Sequence, residues 1–191
     1  VANLPSKREE VQTLVKGRVR KIVFASIFIA LNIILTRIFS YSVRIGNVVG
    51  IRLSLSQVPL VLSGIMLGPL YGGLTGALAD LLGFPINPTG PYFPGFTISA
   101  AVMGLVPGLI GKLIKDKWNL VSLSITIIIT TVLASTILNS IWIYILSGKA
   151  IMLLLPPRIL ANLITIPIYI FLVNLFLKNY RKLEGQLEQR K

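Results

Sequence analysis

A chain of 191 residues that is 54% hydrophobic, 13% charged and has a mean hydropathy of +0.81 lacks the polar surface of a soluble globule and reads as an integral membrane protein. A formal charge of +13 would suggest nucleic acid in a soluble domain, but in this chain lysines and arginines flank apolar runs, where they orient membrane helices, so nucleic-acid binding is excluded. Cysteine and histidine are absent, which removes thiol nucleophiles, disulfides, thiolate metal sites and histidine bases together.

Residues 1–21 form a charged arm with Lys7, Arg8, Glu9, Glu10, Lys16, Arg18, Arg20 and Lys21, either an interfacial amphipathic turn or a solvated tail. A first span from Ile22 to Phe39 approaches the ~20 apolar residues that cross ~30 Å of hydrocarbon. It lacks a small-residue cleavage site and reads as a retained helix with a cytosolic N-terminus. A polar loop, Ser40 to Leu53, follows. The apolar stretch Ser54 to Leu82 is too long for one ordinary span, and Gly68-Pro69 with Gly72-Gly73 predicts a break into two short helices.

Gly83 to Pro94, rich in proline, predicts a rigid irregular loop that persists at membrane depth only against protein or water. A fourth helix runs from Gly95 to Gly111, and a basic hinge of Lys112, Lys115, Asp116 and Lys117 leads to a fifth from Leu120 to Leu146. The sixth runs from Ile151 to Leu177, with Pro156-Pro157 bending or interrupting its first turns. The expected fold is therefore all-α: a basic arm at 1–21, six transmembrane helices within 22–178 and a charged cytosolic tail at 179–191. Charge supports the split at Gly68, because six spans put the arm, the hinge and the tail on one, cytoplasmic, side. No repeat of 20 to 50 residues is evident.

This topology leaves Arg37, Arg44, Arg52, Lys149 and Arg158 toward the outer face, against the orientation rule, with Asp80 as the acid among them. Guanidinium groups bind carboxylates in a bidentate geometry, so outer arginines suit an anionic ligand; the plainer reading is snorkelling to headgroups for Arg37 and Arg158 and ordinary wet residues for Arg44 and Arg52. An ionised carboxylate near hydrocarbon costs at least ~2.5 kcal/mol and needs a partner. For Asp80 that partner is a salt bridge to Arg37, Arg52 or Arg158, or a ligand's N–H donors. Gly72, Gly76 and Asp80 share one helix face, which permits close approach by a neighbour.

Arg158, Asn162, Thr165 and Tyr169 form a polar stripe on the sixth helix, matched by Ser135, Asn139 and Trp142 on the fifth and by Asn32 and Thr36 on the first. Asn32, Thr36 and Thr165 read as interhelical glue, whereas Asn139, Trp142, Arg158 and Asn162 converge toward the outer half and are candidate ligand contacts. Tyr92, Phe93, Phe96 and Tyr144 either stack on a flat ligand or form an interfacial belt. Ser26 with Ala30, and Gly104 with Gly108, are small-xxx-small pairs against which another helix packs closely.

RLSLSQVPLVLSGIMLGPLYGGLTGALADLLG (Arg52 to Gly83), followed by FPINPTGPYFPGFTISA, resembles the substrate-binding S components of energy-coupling factor (ECF) vitamin transporters, and most closely the folate-specific members. The resemblance implies a multi-pass subunit of a bacterial plasma membrane that binds folate or reduced folates from outside, beneath the Ser40–Leu53 loop, and tips in the bilayer to release it. It further implies docking on a transmembrane coupling subunit and two ATPases, which hydrolyse the ATP, so that this chain is no enzyme and carries no cofactor; no GxxxxGK[ST] phosphate loop is present. On that reading Asp80 meets the pterin edge, arginines among Arg37, Arg44, Arg52 and Arg158 meet the glutamate, and Trp142 with Tyr92 or Phe96 stacks. The family's AxxxA docking pattern on the first helix corresponds to Ser26 and Ala30. Alternatives are another anionic vitamin such as pantothenate or biotin, a membrane enzyme using Asp80 as base, or a scaffold in which Asp80 and the arginines form salt bridges.

Overall fold

The computed structural model describes residues 7–38, 40–45, 48–86, 92–148 and 151–188. Seven α-helices are assigned among them: α1 Lys7–Ile38, α2 Gln57–Leu67, α3 Pro69–Ile86, α4 Pro94–Leu113, α5 Leu120–Thr130, α6 Asn139–Ser147 and α7 Ile151–Glu188. Large apolar side chains such as Ile22, Ile27, Leu70, Leu113, Leu163 and Phe171 face outward, the pattern of a protein whose solvent is hydrocarbon. Among the described residues four helical stretches are long and apolar enough to cross a bilayer: Gly17–Thr36, Pro94–Leu113, Leu120–Leu146 and Leu155–Lys182. The chain is a helical membrane protein. Of the six spans expected, α2 is the short apolar one, and α3 is diluted by Asp80 and its glycines.

Some sequence expectations need correction and others are refined. Ser40 to Leu53 is not a loop: β1 (Ser40–Ile45) and β2 (Val48–Ser54) pair antiparallel, with Ser40 opposite Ser54, Ser42 opposite Arg52 and an irregularity between Val43 and Arg44. The fold is therefore helical with a hairpin, since β-branched residues line up on both strands. Helix α3 continues to Ile86 through Pro85, so the irregular segment starts later than Gly83; residues 87–91 of that loop lie outside the described residues. The fifth helix is not uniform, because a π-helical segment, Thr131–Leu138, joins α5 to α6. Helix α7 runs unbroken through Pro156, Pro157 and Pro167, the freed carbonyls being tolerable where neighbouring groups satisfy them. The charged arm is helical from Lys7 and continuous with the first span.

The break at Gly68 is as expected. Its φ of +89° suits glycine, and Pro69 opens α3. Helices α2, α3 and α4 then meet along a seam of small residues. A Cβ on Gly64 or Gly72 would land on the Gly104 carbonyl oxygen, one on Gly76 on that of Ala100, and one on Gly108 on the Pro69 backbone. Gly104 and Gly108 thus serve packing inside the chain. One apolar core joins the halves, with Phe28, Val61, Leu62, Met103, Ile127 and Val173 buried together.

Both ends of the bundle are tied. At the hairpin end, Asn32 of α1 donates to the Ser56 carbonyl at 2.5 Å, and Tyr169 of α7 donates to the Ser54 carbonyl at 2.6 Å. Asn32 thus ties α1 to the turn that precedes α2, whereas Thr36 and Thr165 donate within their own helices, to Asn32 and Ala161 carbonyls. At the opposite, basic end, Lys115 and Asp116 adopt left-handed conformations, and Asn119 caps α5 reciprocally with Ser122.

Candidate functional site

Asp80 lies on the fourth turn of α3, on the seam side, where the absence of side chains lets α4 come within reach. Thr97 of α4 donates to Asp80 Oδ2 at 2.6 Å, and the Tyr92 hydroxyl is 3.0 Å from Thr97 Oγ1. A threonine hydroxyl has one proton, and that of Thr97 goes to the carboxylate, so Tyr92 is the donor in the second bond. The resulting relay, Tyr92 to Thr97 to Asp80, orients the acid while leaving most of its acceptor capacity open.

Aromatic rings close around the same end of α4. Phe93 contacts Trp142 of α6 at 5.8 Å between ring centres and Phe96 at 6.1 Å, while Phe84 meets Tyr92 edge-on at 5.2 Å. Trp142 Nε1 donates to Ser99 Oγ at 3.0 Å, which fixes the indole against α4. Gly95 makes room for it, because a Cβ there would approach the Phe93 and Trp142 rings to 2.5 Å. Tyr144 is exposed two residues further along α6, as an interfacial aromatic would be.

The polar stripes of the last two membrane helices face each other. Arg158 Nη1 donates to the Ser135 carbonyl at 2.7 Å, and Asn162 Nδ2 to Thr136 Oγ1 at 2.6 Å. Ser135 and Thr136 belong to the π-helical segment, whose altered bonding presents a backbone oxygen to an outside donor. Asn139 Oδ1, Ser140 Oγ, Thr130 Oγ1 and Thr131 Oγ1 are buried there without a hydrogen-bond partner among the described residues. Buried acceptors left unmatched carry a cost unless a water or ligand supplies the donor.

Of the other expected contacts, Arg37 lies near the end of α1, Arg44 is in β1 opposite Val49, and Arg52 is in β2 opposite Ser42. Their side chains, and Lys149 altogether, lie outside the described residues. Arg158 binds a backbone oxygen, so the described partner of Asp80 is Thr97 rather than this guanidinium. Ser26 and Ala30 are exposed on one face of α1, with the Ser26 hydroxyl turned to the Ile22 carbonyl of its own helix. Sequence reasoning missed Thr97, Ser99 and Gly95. Thr97 stands three residues before Ala100 and so shares the helix face of Ala100, Gly104 and Gly108, which was a usable signal. Among the described residues, two cavities open at the basic end, away from this constellation.

Similarity to known proteins follows the same outline. A curated folate transporter FolT of Clostridium novyi is 36% identical over 156 residues, covering 82% of this chain and 87% of that protein. A second, from Leuconostoc mesenteroides, is 29% identical over 166 residues, covering 84% and 85%. A solved structure described as FolT bound with folic acid superposes with a TM-score of 0.68 at 26% identity, covering 78% of this chain and 87% of its own. The family described as the substrate-specific component of ECF transporters matches residues 20–176. The chain belongs to that family, and is a transporter's substrate-specific membrane component rather than an enzyme.

Proposed function

We propose that this chain binds folate or a reduced folate at its hairpin end and is the folate-specific component of an ECF importer. The observation that carries the reading is the Tyr92–Thr97–Asp80 relay beside the Phe93–Trp142 pair, an oriented acceptor next to stacked rings. A pterin offers ring and amino N–H donors to such an acceptor and a flat face to the rings. The glutamate half of folate is anionic, and Arg158, together with Arg37, Arg44 and Arg52, supplies guanidinium groups for it. The likeness to two folate transporters and to a FolT structure holding folic acid supports the same substrate.

On this reading six helices cross the plasma membrane, α2 and α3 among them, with both termini and the Lys112–Lys117 hinge in the cytosol. Folate enters beneath the β1–β2 hairpin, and the subunit tips to release it inward on a coupling subunit driven by two ATPases. The chain needs no cofactor of its own. Ser26 and Ala30, small and exposed on α1, are the contact for the coupling subunit.

Equilibrium binding of radiolabelled folate to the purified, detergent-solubilised chain tests the substrate, with pantothenate, biotin and thiamine as competitors. Saturable binding displaced by folates alone is the expected result. A folded sample that binds no folate removes the assignment.

A further inference from the structure

The basic end carries a cavity that folate binding does not use. It measures about 210 Å³ and lies between the start of α5 and the last membrane turns of α7. Trp118 and Asn119 line one wall, and Asn174, Lys178 and Arg181 the other. Asn174, Lys178 and Arg181 follow at spacings of four and three, which brings them onto one helix face. Arg181 Nη1 donates to the Trp118 carbonyl at 3.2 Å, which holds the guanidinium at the rim.

Among the described residues the lining is rich in donors and holds no carboxylate. Trp118 Nε1 is buried and finds no acceptor among the described residues. The start of α5 adds a partial positive field, although Asn119 and Ser122 already satisfy its capping bonds. Buried Leu123 and Leu177 form an apolar floor, and exposed Leu120 continues it toward the bilayer. Lys178 and Arg181 fall at the end of the apolar Leu155–Lys182 stretch, where a helix of that length leaves hydrocarbon for the headgroup region.

We propose that this cavity is a binding site for a phosphate ester, supplied by an anionic phospholipid, with Lys178 and Arg181 as its charged contacts. Phosphate accepts charge-assisted hydrogen bonds from both groups, and an acyl chain continues along Leu120. Basic pockets between membrane helices are suited to such headgroups.

The test is native mass spectrometry of the purified full chain with phosphatidylglycerol, with phosphatidylcholine, or with phosphatidylglycerol plus inorganic phosphate. Wild type and a Lys112→Gln/Lys115→Gln control retain phosphatidylglycerol over phosphatidylcholine, and Lys178→Gln/Arg181→Gln retains at least fivefold less. Displacement by inorganic phosphate keeps the site and makes a soluble phosphate its occupant; no displacement keeps the lipid. Equal retention by the double variant and wild type, or equal loss in the control, overturns the proposal. Should the double variant not fold, Arg181→Lys decides: it lowers retention at least twofold, and unchanged retention overturns the proposal.

Discussion

Thr97 donates a 2.6 Å hydrogen bond to Asp80 across an α3–α4 interface that small residues alone make close enough. A hydrogen bond to a charged group contributes about 1.5–3 kcal/mol. Thr97→Val keeps the shape and removes the donor, so it should lower thermal stability and weaken folate binding roughly tenfold, about 1.4 kcal/mol. Asp80→Asn keeps the volume and should weaken binding by more. Equilibrium binding measures both, and wild-type affinity in the two variants would take the carboxylate out of the site.

Arg158 gives a different signature. Arg158→Lys keeps charge but cannot fork onto a carboxylate, while Arg158→Leu also strands the Ser135 carbonyl at a cost of about 1–3 kcal/mol. Comparison of folate with pteroate, which lacks the glutamate, separates the roles. A ligand contact loses affinity for folate while sparing pteroate. A purely structural arginine lowers stability and leaves the ratio of the two affinities unchanged.

Trp142 and Trp118 are the tryptophans of the chain, which makes fluorescence selective. Trp118→Phe should retain folate-dependent quenching, and Trp142→Phe should lose it. Gly95→Ala pushes a methyl group into the Phe93–Trp142 pair and should shift the Trp142 emission even without ligand. An unchanged spectrum in that variant would contradict the packing described.

The seam itself is testable through stability. In Gly76→Ala or Gly104→Ala the new methyl meets backbone rather than a movable side chain, so overpacking of about 1–3 kcal/mol is expected in detergent thermal unfolding. Gly83→Ala, whose Cβ would meet Ile33 Cγ1 at an ordinary 3.6 Å and no other described residue within 4 Å, is the control expected to be close to neutral.

Docking should be separable from binding. Ser26→Leu with Ala30→Leu enlarges an exposed face of α1 and leaves the hairpin end untouched. Folate binding by the isolated chain should persist while co-purification with a coupling subunit is lost; retained co-purification would move the dock elsewhere.

The sequence was most informative where a single residue type has one structural use. Gly68-Pro69 marked the helix break because positive φ and a missing amide proton are intrinsic to those residues. The Gly72–Gly76–Asp80 face predicted a close neighbour, and α4 is that neighbour. The hairpin, expected as a loop, also had its signal: Gly46-Asn47 between two β-branched runs is a two-residue turn pattern. Other features were beyond a linear reading. Arg158 binds a carbonyl, a group every residue carries, and the π-helical segment is built from residues that suit an ordinary membrane helix. Asp80's partner depends on how near two helices approach, which the seam sets in three dimensions.

Where two helices touch through side chains, one can slide against the other by rotamer changes. Gly72 and Gly76 meet Ala100 and Gly104 backbone to backbone, which leaves no such clearance. A ligand that pulled on Asp80 would therefore move α3 and α4 as one plate, and the work of binding would be delivered to the boundary of that plate rather than absorbed inside it.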